Sequence, residues 1–209
     1  MTPGDVPKFD QLKATGELPS PKGIARAILR LTQKEDASLA DMARIVKTDP
    51  ALAGRVIKAA NAAKAYPGRP IASVQEALVV LGLPAVRNLA LGLSLLSQYR
   101  KGNCEGFDYE HFWSFSLACG IALQTLSQRL RVIPAEEAFS LGLLARVGEL
   151  ALATLYAEPY GRILRATPQA APAQRQRLER EAFAITHGEL SAAMLADWGL
   201  PQLFYQAVR

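Results

Sequence analysis

Ala138–Ala157 reads AFSLGLLARVGELALATLYA, and its spacing decides the fold class. Phe139, Leu143, Val147 and Leu150 recur at steps of four, four and three, with Leu144, Ala151 and Leu155 widening the stripe. Apolar residues thus cover most of a helical circumference, which predicts one central helix buried on several sides. Upstream, Pro134, Glu136 and Glu137 supply the proline and acidic charge that a helix start favours. Glu158-Pro159 predicts its end, because the residue before a proline resists the helical conformation.

In the middle of this helix stands Leu143-Leu144-Ala145-Arg146-Val147-Gly148-Glu149-Leu150. The run resembles the LLHDIGKL signature of the HD superfamily of metal-dependent phosphohydrolases. Ala145 and Arg146 occupy the places of the histidine and the aspartate. A divalent metal needs unprotonated imidazole or carboxylate ligands, and a methyl group beside a guanidinium supplies none.

Working outward, the same helical signals recur along the chain. Residues 1–19 have no clear period and carry Pro3, Gly4, Pro7, Gly16 and Pro19, which predicts a coil lead-in. Ser20-Pro21 predicts a cap and a first helical position before Ile24, Ile28 and Leu31. Ser38 with Asp41 predicts a capping box, and Asp49-Pro50 predicts the start of the helix through Leu52, Val56 and Ala60. Gly54 inside that helix costs about 1 kcal/mol relative to alanine, and close helix contact is the expected reason for it. Tyr66–Pro70 predicts a loop, and Ser73 with Glu76 a further cap. That helix should stop at Gly82, and Pro84 should start the next.

Lys101–Phe107 is the best internal boundary, and Asp108 caps the helix of Phe112, Phe115, Cys119 and Leu126. Thr167–Pro172 predicts a loop, followed by a mostly exposed helix bearing Arg175, Arg177, Glu179, Arg180 and Glu181. Thr186 with Glu189 predicts another capping box, and Pro201 a last helix that the chain leaves unfinished at Arg209. A fragment of a longer protein is one reading of that ending. No strand pattern and no fixed-period repeat is present, so the expected class is all-α.

At 209 residues the chain can form one large domain or two small ones. Its apolar stretches are interrupted by Arg87, and by Arg146 with Glu149, so none reaches the roughly 18 uncharged residues that a span needs. The N-terminus lacks the apolar core of a secretory signal, and a cytoplasmic location is expected. Cys104 and Cys119, the only cysteines, fit reduced structural residues. The net charge of +5 comes from 24 basic residues scattered among 19 acidic ones, the distribution of a solvated surface more than of a nucleic-acid patch.

Taken together, the motifs resemble the HDOD family, the HD-related output domains of bacterial signalling proteins, over residues 18–209. The resemblance rests on Leu18-Pro19-Ser20-Pro21, Asp49-Pro50-Ala51-Leu52 with Asn61, and Leu81-Gly82 followed by Arg87-Asn88-Leu89. Further along it rests on Phe112-Trp113, on Gly142-Leu143-Leu144 with Gly148, and on His187 through Trp198-Gly199-Leu200-Pro201. It implies two packed helical halves, 18–105 and an HD-like 106–209, after a lead-in at 1–17. It also implies a bacterial signal-transduction module without catalysis, acting through other signalling proteins, with no cofactor and no membrane. No receiver, diguanylate cyclase or phosphodiesterase domain accompanies it in the sequence.

The position resembling the superfamily's first metal ligand is Phe115, so three expected ligand places read Phe115, Ala145 and Arg146. The degenerate pocket is therefore assigned Phe115, Arg146, Glu149 and His187. Arg146 needs an anionic partner on so apolar a helix, and Glu149, three residues on, or Glu189 is expected to provide it. An anion or cyclic-nucleotide site using Arg146 is the alternative. His187 opens a helix and reads as a structural residue between helices, and His111 as a surface or capping residue. Residues 38–61 also mimic a helix-turn-helix, with Arg55 and Lys58 able to meet DNA phosphates, although no set of base-reading side chains accompanies them.

Overall fold

The computed structural model of the protein describes residues 6–63, 68–167 and 172–209. Among them are twelve helices and no strand. They are α1 (Val6–Ala14), α2 (Gly23–Thr32), α3 (Leu39–Val46), α4 (Pro50–Ala63), α5 (Val74–Gln98) and α6 (Tyr109–Leu130). The second half of the chain adds α7 (Ala135–Leu144), α8 (Val147–Leu155), α9 (Ala157–Ala166), α10 (Pro172–Phe183), α11 (His187–Asp197) and α12 (Gln202–Ala207). The all-α class is as the periodicity predicts.

Contacts group the chain into two units that interleave in sequence. The first comprises Met1–Ser20, Leu96–Cys119 and Leu141–Arg209, and the second Pro21–Leu95 with Gly120–Ser140. The chain passes between them at Ser20-Pro21 and within α5, α6 and α7, whereas the irregular 101–107 segment lies inside the first unit.

In the second unit, local capping chemistry starts the helices and apolar stripes pack them. Ser38 Oγ accepts the Asp41 N–H, and Asp49 Oδ1 accepts the N–H groups of Ala51 and Leu52. These bonds satisfy donors that a helix start leaves open. Ile28, Met42, Val46, Val56, Ala60, Ala77, Leu78 and Val86 then form the core. Asn61 closes this bundle by clamping the chain beyond the loop: Nδ2 donates to the Ile57 and Ile71 carbonyls and Oδ1 accepts the Ile71 N–H. Within α5, Gly82 has φ +76, a left-handed conformation that glycine adopts without strain. The helix restarts beyond it at the Pro84 turn, as the glycine and proline predict.

Ser20-Pro21 does not cap α2. Lys22 occupies the N-cap without a side-chain bond, and the helix begins at Gly23. Gly54 does not mark a close helix contact either, for a Cβ there would meet nothing within 4 Å. Of the loop predicted at Tyr66–Pro70, residues 68–70 are irregular and 66–67 lie outside the described residues, as do 168–171 of the Thr167–Pro172 loop.

The first unit is built on α8 and α11, which α9, α10, α12 and α1 surround. Leu150, Leu152, Tyr160, Leu190, Met194, Leu195 and Phe204 are fully or almost fully buried there. The coil predicted for residues 1–19 instead contains α1. Phe9 and Leu12 are buried, and Lys13 pairs with Asp197 of α11. Tertiary packing sustains a nine-residue helix that is too short to show a readable period.

The single helix predicted across 138–157 is three segments. The chain turns at Ala145-Arg146, where Arg146 takes φ −105 and ψ 15 as the N-cap of α8. It turns again at Tyr156 (φ −129, ψ 47), and Glu158-Pro159 lies inside α9 and does not end a helix. Pro159 is the third residue of α9, in the first turn, where its missing N–H costs nothing. By length and composition alone, Val74–Gln98 and the stretch Glu137–Leu155 are apolar enough to cross a membrane even with the charges that interrupt them. Both contribute to the cores just described, and core helices pass the same test.

Candidate functional site

The break between α7 and α8 sets the geometry of the site, which lies within the first unit. Because the backbone turns at Arg146, its guanidinium folds back along α8 towards Glu149. Arg146 Nε donates to Glu149 Oε1 at 2.8 Å and Nη2 to Oε2 at 2.6 Å, a planar two-pronged pair. The Arg146 side chain keeps 30% of its exposure and that of Glu149 only 7%. Above the guanidinium lie the rings of Phe115, 4.7 Å to the centroid, and Phe112, 5.8 Å, both from α6. Burial works against the charge of Arg146, but the hydrogen bonds and charge of Glu149 outweigh it and hold the guanidinium above its ordinary pKa.

Phe115, Arg146 and Glu149 are therefore brought together, as the sequence assigns them. Glu189, the other expected acid, is engaged elsewhere. It closes the capping box of α11 with Thr186 and receives Arg180 at 2.6 Å. Burial opposes its charge, but Arg180 and the Thr186 donors prevail, holding its carboxyl below the usual range. Its carboxylate is thus committed to Thr186 and Arg180.

His187 is held by a residue that sequence reasoning placed on an exposed helix. Glu179 of α10 has no solvent exposure. It accepts the His187 backbone N–H at 2.9 Å, and the ring Nδ1 lies 2.7 and 2.9 Å from its two oxygens. This is the structural bond between helices that the sequence predicts for His187. Arg175, on the same α10, stands 3.9 Å from Glu149 Oε2. Tyr160 of α9 is fully buried between these groups, and its hydroxyl has no hydrogen-bond partner among the described residues. Burial first, then the charges of Glu149 and Glu179, push its pKa far up, so the phenol stays protonated.

Glu179, Tyr160, Arg175 and Phe112 were thus missing from the sequence-derived site. An i, i+4 step from Arg175 to Glu179 was the one signal that could have found the buried face of α10. What holds these positions is a salt-bridged cluster of Arg146, Glu149, Arg175, Glu179 and His187. Among the described residues, no three of His, Cys, Asp and Glu come together as metal ligands would.

The α8–α11 contact beside the cluster depends on Gly148. A Cβ at that position would lie 2.0 Å from the His187 carbonyl oxygen and 2.7 Å from the Ser191 nitrogen. The Gly148 N–H donates to Ser191 Oγ at 2.8 Å in this buried seam. His111 is exposed, its ring 6.0 Å from that of Phe115. In the 38–61 segment, Arg55 and Lys58 are exposed, while Asn61 is consumed in the Ile71 clamp.

Comparison with known proteins places this arrangement. The HDOD domain matches residues 18–209, and the chain belongs to that family. Among solved structures it is similar to the MmoQ response regulator from Methylococcus capsulatus str. Bath, at 47% identity. That match covers 88% of this chain and 72% of the other, with a TM-score of 0.51. A candidate signal transduction protein from Marinobacter aquaeolei VT8 is 26% identical, over 95% of this chain and 45% of its own, with a TM-score of 0.66. A candidate phosphohydrolase from Shewanella amazonensis SB2B shares the fold, with a TM-score of 0.72 at 24% identity over 99% of this chain and 70% of that one. No curated protein matches the chain.

Proposed function

We propose that this protein is a non-catalytic, cytoplasmic signal-transduction module that acts by binding another protein. One observation carries the reading. At the places of the HD metal ligands stand Phe115, Ala145 and Arg146, and the Arg146 guanidinium is committed to Glu149. The cation that ties the helices in a metal enzyme is here supplied by a side chain, so the cluster holds the fold and leaves its surface to recognition. Similarity to a response regulator supports the signalling role.

Exposure of Arg55 and Lys58 on one helix favours DNA binding as the second reading. Three measurements decide between these readings and a residual phosphohydrolase. Purified protein should show no phosphodiesterase turnover in added manganese, and capture from the source cell should return a protein partner at a defined ratio. Sustained manganese-dependent turnover, abolished by His187→Ala, would restore the enzyme. Tight binding to one duplex at physiological salt, lost in Arg55→Ala, would make it a DNA-binding regulator.

A further inference from the structure

Helix α6 leaves much of its circumference open. His111, Ser114, Ala118, Ile121, Thr125 and Gln128 are all exposed and follow one another at steps of three, four, three, four and three. That is the spacing of a seam by which one helix lies along another. Leu117 and Ile121, one turn apart, keep 47% and 51% of their exposure beside the small Ala118 and Ala122. Because α6 is one continuous helix, this face follows from its own geometry.

The seam is its own complement when run in the opposite direction. About a point midway between Cys119 and Gly120, the counterpart of Ala118 is Ile121, that of Leu117 is Ala122, and that of Ser114 is Thr125. Each large apolar side chain thus meets a small one. The Thr125 hydroxyl donates to the Ile121 carbonyl of its own helix at 2.8 Å, which leaves its oxygen to accept from a Ser114 hydroxyl. Glu110 in the first turn has Arg129 in the last turn as its counterpart. Both are exposed, and neither has an ion-pair partner among the described residues. An antiparallel arrangement also sets the positive end of each helix beside the negative end of the other.

We propose that α6 pairs with α6 of a second copy of this chain, antiparallel and about a two-fold axis. The pairing goes beyond the signalling role and holds whichever protein the module recruits. The 22 residues of α6 span about 33 Å, so a strip one helix wide, about 10 Å, offers roughly 330 Å² per copy. A standard interface buries about 800 Å² per partner, so the dimer should be weak and form at micromolar concentrations or above.

Sedimentation velocity of the full chain over a concentration series tests the pairing, with circular dichroism to confirm that each variant is folded. The parent should pass reversibly from monomer to dimer. Glu110→Arg or Arg129→Glu alone should weaken dimerisation about tenfold, because two-fold symmetry loses the ion pair twice. Mixed together, these two variants should pair with each other in preference to themselves, and the double variant should recover the parent's affinity. Ile121→Glu should abolish the dimer, since it sets a carboxylate at the centre of the seam. All three positions are exposed, so the substitutions leave the core untouched. A parent that stays monomeric up to about 1 mM would overturn the proposal. So would a dimer that Ile121→Glu leaves intact, or a double charge variant no tighter than the single ones.

Discussion

Replacing Gly148 with alanine should unfold the first unit at far lower denaturant than the parent requires. The added Cβ would sit 2.0 Å from the His187 carbonyl oxygen, when real Cβ contacts essentially never fall below 3.0 Å. The contacting atoms are backbone, so α8 and α11 must part by about 1 Å, and no side-chain rotation can relieve the clash. Overpacking of this kind costs about 1–3 kcal/mol. Separation also stretches the Gly148–Ser191 hydrogen bond, and a buried donor left unmatched adds about 1–3 kcal/mol. Alanine returns less than about 1 kcal/mol through its helix propensity. The net loss should be about 1–6 kcal/mol, or a midpoint lower by roughly 2–24 °C for a chain of this size.

Urea unfolding followed by helical circular dichroism measures the loss, and Gly54→Ala is the internal control. Gly54 has open space where the Cβ would go, so the same substitution there should stabilise by about 0.5–1 kcal/mol. A Gly148→Ala protein within about 1 kcal/mol of the parent would refute the reasoning, because no relaxation of that seam is so cheap. Opposite signs at the two glycines would show that the contact decides, and not the residue type.

Arg146→Ala should destabilise by about 1–3 kcal/mol, since it strands the buried Glu149 carboxylate, and Arg146→Lys should recover little because an ammonium cannot form the two-pronged pair; an alanine variant melting like the parent would remove the structural role. Asn61→Ala should cost about 2–3 kcal/mol in the second unit by breaking two bonds to Ile71 and one to Ile57, measurable as faster amide exchange at residues 57–63 and 71–78. The depressed pKa of Glu189 predicts acid sensitivity. A carboxyl lowered on folding contributes stability that is complete above its unfolded value, near 4.5, and is lost as pH falls through the lower folded value. Glu189→Gln should therefore flatten the stability profile below pH 4.5 and leave its shape above that unchanged; an unchanged acid limb would show that other carboxylates dominate.

What the sequence made legible was chemistry that acts within a few residues. Ser38, Asp49 and Thr186 each satisfy helix-start donors two or three positions on, so their signals survive without knowledge of the rest of the chain. The Arg146–Glu149 pair was legible for the same reason, being three residues apart on one turn. The break at Ala145-Arg146 was not, because the apolar periodicity resumes beyond it and a local pattern does not record a turn of the backbone. Charge on α10 misled in the complementary way. Arg177, Arg180 and Glu181 are exposed, but Glu179 among them is fully buried against His187 eight positions later. Burial of a carboxylate depends on which donors other helices bring to it, and a local window holds no record of them. That is why Phe115, Arg146 and Glu149 could be grouped from motif positions, while Tyr160 and Glu179, which complete the same polar cluster, could be found only in three dimensions. Those side chains tie the unit together across its helices: the ion pairs and the buried carboxylate–imidazole bond join α8, α10 and α11.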